Sequence, residues 1–158
     1  MADWVDKHFD IPRAMQTSGY RLRMLTVNDL VKDYDAVMSS QTELQGVFGP
    51  ESHWPKADMT MEQDLIDIGW HQKEFQNRSS FAYTMMSLDE VTCLGCVYIY
   101  PTSKADVDAQ VIMWVRSGSD LDQQLYEDVR QWLVNAWPFR NVVYPGRIIS
   151  WSDWLVQD

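Results

Sequence analysis

Residues 91–133 read VTCLGCVYIYPTSKADVDAQVIMWVRSGSDLDQQLYEDVRQWL, and this stretch decides the fold. It opens as a strand, breaks at Pro101, resumes as a second strand over DAQVIMWVR, turns, and enters an amphipathic helix. Val107, Ala109, Val111, Met113 and Val115 share one face of the second strand. Asp108, Gln110, Ile112, Trp114 and Arg116 share the other, because successive strand side chains point to opposite sides. The helix that follows carries Leu121, Leu125, Val129, Trp132, Leu133 and Ala136 on one stripe, the spacing of a helix laid on a sheet. A strand feeding directly into a helix N-terminus presents unpaired N–H groups and the positive end of a dipole. That arrangement suits an anion such as a phosphate.

Composition sets the frame around this stretch. The chain has 158 residues, 46% of them hydrophobic, with 8 Trp, 7 Tyr and 5 Phe, enough for one domain with a sizeable core. The formal charge is −10, which repels phosphate backbones and argues against nucleic acid, while favouring cationic partners such as amines. The N-terminal segment carries Asp3, Asp6 and Asp10 and no continuous apolar run, so no secretory signal is expected. No span has transmembrane length, and a cytoplasmic protein without a membrane partner is the expectation. Cys93 and Cys96 have redox-like spacing but lie within strand sequence. Residues three apart in a strand face opposite sides, so the reading is two buried, reduced thiols with diverging sulfurs. No second cysteine pair exists to complete a zinc site, and no metal is expected.

Outward from the opening stretch, residues 1–19 form an arm in which Trp4, Phe9, Ile11 and Met15 are docking points. Residues 20–26 (YRLRMLT) are expected as a first strand, followed by a helix opened by Asn28 with Asp29 in its first turn and Leu30, Tyr34, Val37 and Met38 on its buried stripe. Residues 41–58 are a long loop, broken by Gly46, Gly49, Pro50 and Pro55, that nevertheless contains Phe48, His53 and Trp54. Such loops either form binding lids or are pinned to the core by their aromatics. Thr60 and Gln63 make a capping box for a helix reaching about residue 76, with Met61, Leu65, Ile68 and Trp70 expected inward. His71 and Glu74 are neighbours on that helix, without a third metal ligand. FAYTMM (81–86) is a strand whose hairpin partner begins near Val91, and Gly95 within that partner implies a bulge or a close backbone approach. Trp137-Pro138 ends the long helix, FRNVVY (139–144) is a further strand, and a short tail helix is capped by Ser150 or Ser152.

The resulting order β-α-α-β-β-β-α-β describes an α+β, three-layer fold: a mixed, mostly antiparallel sheet with helices on both faces. The domain spans 1–158, with an arm (1–19), a core (20–144) and a tail (145–158). The FAYTMM hairpin into LGCVYIYP, the alternating strand DAQVIMWVR, its turn and helix, and WPFRNVVY together resemble the GNAT superfamily of acyl-CoA-dependent N-acyltransferases. The resemblance implies acetyl-CoA as co-substrate and a gap beside the alternating strand that admits the pantetheine arm. It places Met113, Trp114 and Val115 at the thioester, and Arg116, Gly118, Ser119 and Asp120 at the phosphates. It further suggests Phe48, His53 and Trp54 as the acceptor pocket, Asp108 or Glu51 as general base, and Tyr144 as proton donor.

The chain departs from the family pattern in two places. Where the family's turn has a basic residue and two glycines, this sequence has Asp120, Gln123 and Leu125, and Asp120 and Asp122 place carboxylates near a diphosphate. Only fourteen residues follow Tyr144, where the family continues with a helix and two strands. Two functions are therefore expected in competition: an acyltransferase acting on a small-molecule amine, or a non-catalytic GNAT-fold binding or interaction module that has lost efficient acyl-CoA binding. A shortened sheet also leaves an edge that a second copy would cover in a homodimer.

Overall fold

A computed structural model describes residues 3–157. The chain forms β1 (Ala14–Gln16), β2 (Arg21–Met24), α1 (Leu30–Ser39), α2 (Met61–Gln76), β3 (Phe81–Met86), β4 (Cys93–Tyr100), β5 (Ala109–Val115), α3 (Asp122–Ala136), β6 (Val142–Val143) and α4 (Trp151–Val156). The strands make one six-stranded sheet in chain order. Every pairing is antiparallel except β5 with β6.

Alternation along β5 divides the core as expected. Ala109, Val111 and Met113 face α3, joining Leu125, Val129, Trp132 and Leu133. Ile112 and Trp114 face the opposite side, under α1, α2 and the long loop. The arm belongs to the first of these layers. Trp4 stacks between Phe81 (5.6 Å) and Phe139 (5.5 Å), and its indole N–H donates to the Asp108 carbonyl at 2.7 Å. Part of the arm, Ala14–Gln16, adds an edge strand, which its mixed sequence did not signal.

The first helix starts differently from expectation. Thr26, not Asn28, precedes it, and Asp29 reaches back to accept the Thr26 N–H at 2.9 Å while pairing with Arg23 at 2.8 Å. Residues 27–29 consequently form one tighter 3-10 turn before α1 proper. The capping box on α2 is present, with Gln63 N–H donating to Thr60 Oγ1 and Thr60 N–H donating to Gln63 Oε1. Its inner face differs, however. Met61, Leu65 and Trp70 are exposed, while Asp64, Ile68 and Phe75 are buried. The true stripe has an aspartate in it, so a count of apolar residues selects the wrong side of the helix.

The cysteine geometry also needs correcting. Met85 pairs with Gly95, but the next partner of β3, Met86, pairs with Cys93, so Leu94 is an extra residue on β4. This bulge rotates the chain by one position and puts Cys93 and Cys96 in the same buried layer rather than on opposite faces. Both are free thiols, and burial pushes the Cys93 thiol up to about 12. Gly95 is required there, because a Cβ at this position would lie 2.1 Å from the Trp114 carbonyl oxygen.

The strand expected over 139–144 shrinks to two residues, which pair with Ala109 and Gln110 only. On its other side β5 stays paired to β4 as far as Val115. The backbone of residues 111–115 therefore has an open edge. The tail returns towards it, with α4 capped by Ser150, whose hydroxyl accepts the Asp153 N–H, and anchored by the Trp154 indole on Gln110 Oε1.

Candidate functional site

The open edge of β5 borders a cleft of about 340 Å³ lined by Val47, Ile112, Met113, Gly146, Arg147 and Trp151. Here β5 and β6 have parted, so the Met113 carbonyl lacks a strand partner and instead accepts from Arg147 Nη2 at 3.2 Å. The same guanidinium makes a two-pronged pair with Asp122, both contacts at 2.9 Å, and lies 5.2 Å from the centre of the Tyr126 ring. That pairing holds the Asp122 carboxyl below the usual carboxylate range.

The turn beyond β5 supplies what an anion needs. Gly118 has φ +84° and open space where a side chain would stand. Among the described residues no side chain caps the first turn of α3, so its leading N–H groups remain available. Ser119 N–H is used within the turn, and Ser119 Oγ accepts from Leu121 N–H. Asp120 is exposed. Arg116, expected to compensate the acids, points away from the turn. It donates to the Cys93 carbonyl at 2.9 Å and pairs with Asp35 at 3.2 Å. The cation at the turn is Arg147, which sequence reasoning missed because it arrives from the tail, 25 residues after its partner. Met113 and Val115 project towards α3, and of the two Met113 borders the cleft. Trp114 projects to the other face, and its indole donates to the Tyr98 hydroxyl at 3.0 Å.

The long loop folds over that other face. Gln41 and Gln45 fasten it by donating to the Pro55 carbonyl. Phe48 meets Tyr98 edge-on at 5.0 Å and Trp54 at 5.3 Å, and Trp54 lies 6.3 Å from Trp114. Phe48 and Trp54 thus wall a cavity of about 330 Å³, together with Tyr98 and Tyr100. His53 lies outside it, on the far side of Trp54, in a separate surface hollow. At the base of the cavity are Asp33 and Asp64, 5% and 2% exposed, with Asp67 and His71 beside them. Burial first raises both carboxyls above the usual range; neighbouring acids raise Asp33 further, while a hydrogen bond with Asp33 partly lowers Asp64. Burial lowers the His71 imidazole, whose Nδ1 has no hydrogen-bond partner. Sequence reasoning missed the two aspartates, although each interrupts the buried stripe of its helix. A further hollow, lined by Phe48, Tyr100, Ile112 and Trp151, shares Phe48 and Tyr100 with the cavity and Ile112 and Trp151 with the cleft.

The three candidate proton-transfer residues are scattered. The Asp108 carboxylate accepts the N–H groups of Arg140 (2.7 Å) and Asn141 (2.9 Å) and holds the approach to β6 at the closed end of the strand pair. Glu51 is exposed in the loop. Tyr144 follows β6 at the point where the strands have separated, packed edge-on against Tyr126 at 5.2 Å, and burial pushes its hydroxyl up. Among the described residues, no three His, Cys, Asp or Glu side chains are grouped to hold a metal ion.

A sheet that splays at this strand, next to an uncapped helix N-terminus, defines the GNAT acetyltransferase fold, and this chain has that fold. It superimposes on ribosomal-protein-S5-alanine acetyltransferase from Vibrio fischeri with a TM-score of 0.61 and 14% identity, covering 80% of this chain and 69% of the other. The microcin C7 self-immunity acetyltransferase MccE, solved with acetyl-CoA and AMP, gives 0.60 and 11%, covering 78% and 66%. RimL, a ribosomal L7/L12 alpha-N-protein acetyltransferase solved with coenzyme A, gives 0.57 and 14%, covering 77% and 66%. No family model and no curated protein matches the sequence. No helix among the described residues is long and apolar enough to cross a membrane.

Proposed function

We propose that the protein is an N-acyltransferase that moves an acetyl or similar acyl group from acyl-CoA to an amine of a small molecule. One observation carries the reading: residues 111–115 of β5 have no strand on the side facing the cleft, within a GNAT fold. An amide-containing arm laid along that edge gains backbone hydrogen bonds as an added strand would. The open position at Gly118 and the free N–H groups of α3 suit its phosphates, and Arg147 offsets Asp122 beside them.

In the reaction the amine nitrogen attacks the thioester carbonyl, the C–N bond forms, the nitrogen gives a proton to solvent water, and the C–S bond breaks as the sulfur takes a proton that solvent then restores to its donor. Holding the two reactants together supplies most of the acceleration, so few catalytic side chains are needed. Tyr144, protonated at neutral pH, can donate but not accept, and is assigned to the departing thiolate. Phe48 and Trp54 shape the acceptor side.

The second reading, a binding module of the same fold, is favoured by the Arg147 contact with Met113, which occupies a carbonyl the arm would use. Calorimetric titration with coenzyme A and thiol release from acetyl-CoA with an amine panel separate the two. Binding with thiol release establishes the enzyme. Binding without release for any amine, or no binding at millimolar coenzyme A, refutes the enzyme and supports the module.

A further inference from the structure

The cavity behind Trp54 is built for positive charge. Its floor holds two buried carboxyls, and Asp64 Oδ2 has no hydrogen-bond partner although Asp64 is only 2% exposed. Leaving such an oxygen unpaired costs desolvation energy that a donor in the cavity would recover. The walls present the rings of Phe48, Trp54, Tyr98 and Tyr100, whose faces attract cations most strongly where water is excluded. Among the described residues, no lysine or arginine lines the cavity to neutralise the floor from within. Asp67 extends the negative charge to the half-buried rim.

We propose that this cavity holds an ammonium group of the acceptor, and that the acceptor carries two nitrogens: one kept protonated against Asp64 and the rings, the other presented to β5. The inference rests on the acyltransferase reading for its second half only. Proton accounting demands the second nitrogen. An ammonium seated on carboxylates has no lone pair, so the nitrogen that forms the amide must be another one, which gives up its proton on attack.

Geometry limits the separation between the two nitrogens. Tyr98 on β4 pairs with Ile112 on β5, so the cavity lies one to two strand spacings, roughly 5–10 Å, from the open edge. The Phe48–Tyr100–Ile112 hollow shares wall residues with both places. A short aliphatic diamine spans such a distance, and the overall charge of −10 draws it in.

The test uses the full chain with four-carbon probes: butane diamine, butylamine and butanediol. Without acyl-CoA, calorimetry should show both ammonium compounds binding and the diol not. Asp64→Asn should weaken diamine binding by about tenfold, ~1.4 kcal/mol, and Phe48→Leu should weaken it as well. Glu127→Gln, on the exposed face of α3, should leave binding unchanged. With acetyl-CoA, kcat/KM for the diamine should exceed that for butylamine by about tenfold or more. The cage is overturned if the diol binds as well as the diamine, or if correctly folded Asp64→Asn binds the diamine like the native chain. Equal turnover of mono- and diamine overturns the two-nitrogen requirement. Diamine binding that depends on Asp64 without any acyl transfer upholds the cage and refutes the enzyme. Coenzyme A binding and thiol release with other amines, but no diamine binding, does the reverse.

Discussion

Asp122→Asn is the substitution that most directly probes the cleft. The native carboxylate stands in the first turn of α3, where phosphates are proposed to sit, and Arg147 only partly cancels it. Two like charges about 5 Å apart repel by ~0.8 kcal/mol in water and by ~3 kcal/mol at the effective permittivity of a protein surface. Asp122 is half exposed, so the lower part of that range applies, near 1 kcal/mol after screening. Asparagine preserves shape and frees Arg147 to turn towards an anion. Coenzyme A affinity should therefore rise about fivefold to tenfold, which is ~1–1.4 kcal/mol. The lost pair should lower stability by less than about 1 kcal/mol, a fall in melting temperature of no more than about 2–4 °C. Titration calorimetry at low and high salt reads the effect, and the gain should shrink as salt rises. Unchanged or weaker coenzyme A binding in a folded Asp122→Asn protein would show that the phosphates do not lie at this helix end.

Two further outcomes follow from the packing. Gly95→Ala should cost about 3 kcal/mol in urea unfolding, because its methyl group must displace the Trp114 carbonyl from the β4–β5 ladder; a loss below about 0.5 kcal/mol would mean the bulge relaxes freely. Asp33 is an acid whose folded pKa is raised, so its contribution is fully present below the unfolded value near ~3.9 and is lost as pH rises through the folded one. Asp33→Asn should accordingly melt higher than the native chain at neutral pH, with the difference vanishing towards about pH 4; a lower melting temperature at pH 7 would contradict the assignment.

Much of the architecture was legible because periodicity speaks directly about burial. The alternation of β5, the stripe of α3, the Thr60–Gln63 box and the proline that ends α3 each act within a few residues. What escaped was set by partners distant in the chain. Nothing near Arg147 indicates that it reaches Asp122, and nothing near Ala14 indicates that it pairs with Arg23. The bulge at Leu94 reverses the facing of Cys93 because one inserted residue changes the strand's phase, an effect visible only in the β3–β4 register. The acid floor was hidden for a third reason. A search for apolar stripes treats Asp64 as a surface marker, so the face of α2 that carries this buried acid was assigned to solvent.

The short β6 has a consequence for handling the molecule. It covers two residues of β5, and beyond them the tail meets the edge through Arg147 at the Met113 carbonyl, with Trp154 holding the tail in place on the Gln110 side chain. Cleaving the chain after Tyr144 would bare a row of unsatisfied main-chain groups on a strand rich in valine, isoleucine and tryptophan. Such a border recruits the matching border of another molecule. Samples clipped at this point should cluster through strand addition, and a reporter fused behind Asp158 would need a spacer long enough to leave the strap seated.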